Sequence, residues 1–347
     1  MINNKRVDNS FLGELSSDIK KQSNELSDAN CFIAKPANQW IDEAKIRPIP
    51  KMLFGGFWFE GEVCILFADT NSGKSIMGVQ VTNSISKGEQ IAGFELEVAP
   101  QKAVYLDFEL SDKQFEKRYS NNYTDHYLFS DNFIRAEINT EAQLPKKFNS
   151  FEEYLVYSIY KIIEMNDAKV IIIDNITYLK ADNERAKDAL SLMKELKAVS
   201  KKCNISILVL AHTPKRDSSK PITKNDLAGS KMLINFCDSA FTIGESTEGK
   251  DIRYLKQIKQ RNTECVYHSE NVAICQINLD YNFLKFEFIG YDREVNHLAF
   301  QAVPDKEKRS TEILELSKEG LSNVEIAEML GVTEGAVRYQ LKKGVNC

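Results

Sequence analysis

Proline and glycine are scarce, at 8 and 16 of 347 residues, so neither a collagen-like repeat nor Pro/Gly-rich disorder describes this chain. With 43% hydrophobic and 27% charged residues the composition is that of an ordinary globular protein. The seven cysteines form no C-x-x-C pair, and some sit in apolar runs such as Val63-Cys64-Ile65-Leu66. That spacing argues against zinc or a disulfide framework and for packed thiols in a reducing compartment. No apolar run approaches the ~18 residues that cross a bilayer, and residues 1–21 are polar, without the apolar stretch of a secretory leader. A cytoplasmic protein without a membrane partner is expected. Charge is nearly balanced, 45 basic against 50 acidic residues for a net of −5, so any contact with nucleic acid must be local.

Three segments are legible. Residues 1–45 are polar, with weakly amphipathic positions at Phe11, Leu12, Leu15 and Ile19, and read as an arm or linker with at most one short helix. From residue 46 to 300, short β-rich apolar runs (63–68, 103–108, 169–174, 206–211, 239–243) alternate with helical patterns (75–86, 151–165, 184–202). Runs with little polar alternation are what strands buried on both faces look like, and their alternation with helices predicts a parallel α/β sheet. The stretches 254–259, 272–279 and 283–288 lack intervening helices and predict an antiparallel extension. Residues 301–347 follow a charged, proline-bearing stretch and form a separate helical module.

Ala68-Asp69-Thr70-Asn71-Ser72-Gly73-Lys74-Ser75 follows the first buried strand and opens a helix. Such a loop cradles nucleotide phosphates with its backbone N–H groups, Lys74 reaches the β and γ phosphates, and Ser75 is placed to ligate Mg²⁺. It is a Walker A loop with Ala68 in place of the first glycine. Val170-Ile171-Ile172-Ile173-Asp174 is an apolar strand ending in a carboxylate, as a Walker B Asp that holds the magnesium shell requires. Asp107 and Glu109, at the end of the strand after the P-loop helix, share one face, so only one of them need meet the γ phosphate; the alternative is a strand end breaking into a helix cap at Ser111.

These motifs, in this order, together with Leu106-Asp107-Phe108-Glu109 and Ile172-Ile173-Asp174-Asn175, resemble the RecA-type ATPases, in particular the branch of plasmid RepA-like and DnaB-like hexameric helicases. The resemblance spans about residues 46–290. It implies a RecA-like, mostly parallel sheet with helices on both faces, ATP and Mg²⁺ as cofactors, and Glu109 as the catalytic base. It also gives His212, at the end of Leu208-Val209-Leu210-Ala211-His212-Thr213, the role of a γ-phosphate sensor, against the bland alternative of a structural histidine. Leu255-Lys256-Gln257-Ile258-Lys259-Gln260-Arg261-Asn262 is similar to the stretch through which DnaB-like helicases reach a neighbour's nucleotide, with Lys259 and Arg261 as the trans-acting cations. The alternative is a charged edge strand that discourages pairing.

The segment 213–230 carries Lys215, Arg216, Lys220 and Lys224 against two aspartates and no aromatic residue. Cations on such a loop can follow a phosphate backbone, but no base-stacking platform is present. The last module reads as three helices, 311–319, 323–330 and 334–343, with Ile313, Leu314, Leu316, Ile326, Ala327, Leu330, Ala336, Val337 and Leu341 inward, and resembles the helix-turn-helix of sigma factors and LuxR-type regulators. Residues 306–347 hold seven basic and seven acidic residues, yet the third helix carries Arg338, Lys342 and Lys343 against Glu334. Arg338, Tyr339, Lys342 and Lys343 are therefore the expected duplex-DNA contacts. The resemblance implies a ring-forming, hexameric, ATP-driven DNA motor of a plasmid or mobile element, with single-stranded DNA in the ring and duplex on the C-terminal module. An ATP-gated DNA-binding regulator without unwinding activity is the alternative.

Overall fold

The computed structural model describes residues 32–139, 141–176, 187–227, 230–299, 306–330 and 332–344. The amphipathic positions expected between Phe11 and Ile19 lie outside these residues. The chain divides after Pro50 into two compact units. In the first, a nine-residue helix, α1 (Ala37–Lys45), exposes Trp40 and Ile41.

The second unit opens with a short antiparallel pair, β1 (Met52–Phe54) and β2 (Trp58–Phe59). Along the chain follow β3 (Val63–Ala68), α2 (Lys74–Lys87), β4 (Ala103–Asp107), α3 (Asp112–Arg118), the small hairpin β5 (Ser120–Asn121) and β6 (Asp125–His126), and β7 (Phe133–Glu137). Then come α4 (Phe151–Asn166), β8 (Val170–Asp174), α5 (Lys187–Cys203), β9 (Ser206–His212), α6 (Ser230–Phe236), β10 (Ser239–Glu245), β11 (Ile252–Lys259), β12 (Val272–Asp280) and β13 (Phe283–Asp292). Nine strands form one sheet in the order β13-β12-β11-β10-β3-β9-β8-β4-β7. From β7 to β10 every pairing is parallel, and from β10 to β13 every pairing is antiparallel. This is the mostly parallel sheet with an antiparallel extension that the sequence predicts.

Period-two alternation sorts the central strands onto two cores. Val63, Ile65 and Phe67 of β3 join Ile171 and Ile173 of β8 against α4 and α5, through Ile159, Leu192 and Leu196. Cys64, Leu66 and Ala68 join Val170 and Ile172 on the other face, against Met77, Val81 and Ile85 of α2 and against Phe54, Phe57 and Trp58. Both faces are buried, which is why these runs carry no polar alternation. Besides the small pairs β1–β2 and β5–β6, three elements fall outside the sequence expectation. β7 is a half-buried edge strand that includes Arg135 and Glu137, α3 is seven residues set by a capping box between Ser111 and Gln114, and α6 is equally short.

The C-terminal helices α7 (Lys306–Lys318), α8 (Asn323–Leu330) and α9 (Glu334–Gly344) enclose their own apolar core of Ile313, Ile326, Ala327 and Val337, with Leu316, Leu321, Leu330, Val332 and Leu341 around it. Ser322 starts α8 through a reciprocal pair with Glu325, its hydroxyl and N–H both directed to the Glu325 carboxylate. Ala336 corrects the sequence expectation: it is exposed, because the first turn of α9 presents only Val337 to the core. Leu314 is half-buried and stands outside that cluster.

Candidate nucleotide-binding and hydrolysis site

β3 is fully buried up to Ala68, and the chain turns through Asp69–Ser72 into α2 with Gly73 as its N-cap at φ 103°. A side chain at Gly73 would be strained in that left-handed backbone, and its Cβ would come within 2.8 Å of Phe286. Gly73 offers no side-chain cap, so the first-turn N–H groups of α2, which have no intrahelical acceptor, are available to an anion. Ala68 is fully buried in strand pairing with His212 and Ile243, so the extra methyl in place of glycine sits in the core and not in the phosphate cradle.

The Lys74 ammonium lies within the loop, 3.0 Å from the Ala68 carbonyl and 2.8 Å from that of Asp69. Burial lowers its pKa, while the carboxylates of Asp174, Glu109 and Asp69 act in the opposite sense. Asp174 is 1% exposed. Its Oδ2 accepts a 2.5 Å hydrogen bond from the Tyr105 hydroxyl, and its Oδ1 is buried with no partner among the described residues. Burial pushes its pKa up to about 6, although the Ser75 and Tyr105 hydroxyls favour the charged form. An unpaired buried carboxylate oxygen beside a serine hydroxyl fits a hard, oxygen-binding cation. Ser75 and Asp174 are thus the pair suited to Mg²⁺.

At the carboxyl edge of β4 the two acidic candidates separate. Asp107 is a structural group: its Oδ1 accepts from the N–H groups of Glu109 and Leu110 at 3.1 and 2.9 Å, and its Oδ2 from Arg135 Nε at 2.9 Å. Glu109 remains partly exposed, with its Oε1 3.3 Å from His212 Nε2. The hydrogen bond to His212 holds the Glu109 carboxyl below the usual range. Asn175 Nδ2 contacts Glu109 Oε1 and lies 2.9 Å from His212 Nε2. Glu109, Asn175 and His212 thus form one polar cluster, drawn from the ends of β4, β8 and β9.

The basic stretch after β10 lies elsewhere. Ile243 pairs with Ala68 and with Leu255, whereas Ala240 pairs with Ile65 and with Lys259. Lys259 is therefore about 10 Å back along the sheet from the P-loop level, at ~3.3 Å per residue, and Arg261 continues away from it. Lys259 does not reach outward: its ammonium donates to the Ile234 and Cys237 carbonyls at 2.5 and 2.7 Å, closing the end of α6. Arg261 is half-exposed and pairs with Asp238 at 3.2 Å.

In the segment after β9, Lys215, Lys220 and Lys224 are exposed, whereas Arg216 is turned inward onto Asp69, its side chain 8% exposed. The segment is also anchored at Ile222, whose N–H donates to Glu294 and whose carbonyl accepts from Lys256. Lys256 and Glu294 form a buried ion pair at 2.5 Å, so this is a pinned loop and not a free limb. In α9, Tyr339 is exposed and Arg338 pairs with Glu334; the side chains of Lys342 and Lys343 fall outside the described residues.

Asn175 ends the Ile172-Ile173-Asp174-Asn175 motif with no local sign of its role, and nothing in the sequence singles out Arg253. Arg253 is 8% exposed and donates from Nε to the Ser72 carbonyl at 3.1 Å, clamping the P-loop from β11. An arginine opening an antiparallel strand carries no local signal for that contact.

A P-loop in front of a buried Asp and a partly exposed Glu, on a mostly parallel sheet, defines a P-loop ATPase. Over residues 33–218, more than half its length, the chain matches the model of the AAA domain family, and it belongs to that family. Residues 307–347 match the model for sigma-70, region 4. Among solved structures the chain is similar to a KaiC-like protein from the hyperthermophilic archaeon Pyrococcus horikoshii OT3, with 14% identity, a TM-score of 0.43, and coverage of 67% of this chain and 93% of that one. No curated protein matches it.

Proposed function

We propose that this chain is a Mg²⁺-dependent ATPase that works as a ring-forming, helicase-like motor on DNA in the replication or mobilisation of a plasmid or other mobile element, with its C-terminal helix-turn-helix recruiting it to a duplex. The observation that supports this best is the division of groups across the sheet. Lys74, Asp174 and Glu109 gather at one edge, while the half-exposed Arg261 lies beyond Lys259 at the other. On this reading Arg261 serves the transferred phosphate of a neighbouring copy, and hydrolysis depends on an oligomer, a hexamer by family resemblance.

Within one site the roles follow from chemistry. The N–H groups of the P-loop and Lys74 hold the phosphates, and Ser75 and Asp174 hold Mg²⁺. There the ion would supply positive charge against that developing on the transferred phosphate. Glu109, ionised at neutral pH, accepts the proton of the attacking water. His212 and Asn175 orient that carboxylate and connect it to the segment bearing Lys215, Lys220 and Lys224, which is suited to follow single-stranded DNA. In trans, Arg261 stabilises the transferred phosphate, an effect worth ~10³–10⁵ in rate where such fingers operate.

An ATP-gated DNA-binding regulator is a second reading, favoured by the pinning of that segment at Arg216 and Ile222. The test is turnover per chain against protein concentration, with and without single strands, followed by displacement on a forked substrate. Turnover that rises with concentration, is stimulated by DNA and is abolished by Arg261→Ala supports the motor. Concentration-independent turnover overturns the ring, and nucleotide-dependent duplex affinity without displacement favours the regulator.

A further inference from the structure

Asp69 occupies the second position of the P-loop, and both oxygens of its carboxylate are taken up by the segment after β9. Thr213 Oγ1 donates to Oδ1, and Arg216 Nε donates to Oδ2 at 3.1 Å. Arg216 is held in place in turn: its guanidinium donates to the Lys220 carbonyl at 3.1 Å and lies 3.5 Å from that of Asp217. Its side chain is 8% exposed, in a segment whose lysines face solvent. The chemistry of hydrolysis has no use for a carboxylate at this position. A bare negative charge in a loop built to receive a triphosphate repels it, in a partly desolvated setting where like charges act strongly.

We propose that Arg216 is a positioning residue of the nucleotide site that neutralises Asp69, so that the loop's own carboxylate neither repels the triphosphate nor offsets the charge of Lys74. The inference rests on the nucleotide reading of the P-loop given above. It reassigns the buried cation of the segment from nucleic acid to the site itself and leaves Lys215, Lys220 and Lys224 as the outward charges. Two features favour it over simple packing of the loop. The pair is made by a charged group in contact with its partner at hydrogen-bond distance, and Asp69 is close enough to Lys74 to act on its ionisation.

The experiment is a titration of the full chain with a fluorescent ATP analogue at fixed Mg²⁺, paired with steady-state hydrolysis. Arg216→Ala is expected to weaken nucleotide binding by about tenfold or more, with the loss appearing in Kd and KM more than in kcat. Adding Asp69→Asn to that variant is expected to recover most of the affinity, because the charge that needed cancelling is gone; loss of loop packing would not be rescued in this way. Unchanged affinity in Arg216→Ala, or a loss that Asp69→Asn leaves in place, overturns the proposal. Should Arg216→Ala fail to fold, Asp69→Asn alone decides: binding at least as tight as wild type supports the charge argument, and weaker binding overturns it. Wild-type protein that takes up no nucleotide would instead refute the P-loop reading, a separate outcome.

Discussion

At Asp174 the fold buries a carboxylate with one oxygen unpaired, and desolvation raises its pKa from 3.8 to about 6. The folded value lies above the unfolded one, so the group's contribution to stability is fully present below about pH 3.8 and lost as pH rises through about 6. At neutral pH and without metal, the charged form therefore costs about 2–3 kcal/mol, at roughly 1.4 kcal/mol for each pH unit between the two values. Asp174→Asn is expected to raise the melting temperature of metal-free protein at pH 7.5, to narrow the gain as the pH is lowered to 5, and to abolish Mg²⁺-dependent hydrolysis. Thermal scans at the two pH values with added chelator measure the first two effects. Glu109→Gln keeps the size of the side chain but removes the proton acceptor; we expect turnover to fall by 10²-fold or more, in the range of general-base losses, while equilibrium nucleotide binding stays near that of wild type.

At the scale of elements, the buried Lys256–Glu294 pair ties β11 to the short turn after β13 and, through Ile222, to the segment after β9. Removing one member strands the other charge in the core, which costs roughly 3–5 kcal/mol. Lys256→Ala should therefore lower the free energy of unfolding, measured by denaturant titration, by that amount, whereas Lys215→Ala, on the exposed side of the same segment, should leave it unchanged. The central strands were legible in the sequence because burial on both faces leaves a continuous apolar run: β3, β8 and β9 match their expected spans to within a residue. The same holds for the Walker residues, whose loop follows one such run. β7 escaped because an edge strand carrying Arg135 and Glu137 has no apolar run, and α6 because seven residues give too few turns for a period to emerge. Arg253 and the inward turn of Arg216 were beyond reach for another reason: both are contacts between segments far apart in sequence, and nothing local distinguishes a cation that finds a carbonyl or carboxylate from one that meets water.

For the molecule as a whole, the C-terminal helices carry their own apolar core, so the module can be removed without exposing the sheet's two cores. A chain ending at residue 300 is expected to retain ATP turnover and to lose affinity for duplex DNA, measured by hydrolysis and by fluorescence anisotropy on the same preparation. Loss of both activities would mean that the module supports the ATPase as well as the recruitment.

One strand joins the phosphate loop to the far rim of the sheet. β11 begins with Arg253 gripping the phosphate loop of its own chain and ends towards Arg261, which is half-exposed at the opposite rim. In an assembly where that arginine serves the adjacent copy, a crippled subunit would silence the one beside it and not itself. Mixing Arg261→Ala copies with Glu109→Gln copies, each inactive alone, would then restore turnover at every junction where an intact Glu109 faces an intact Arg261, whereas an arginine that serves its own chain would leave the mixture as dead as its parts.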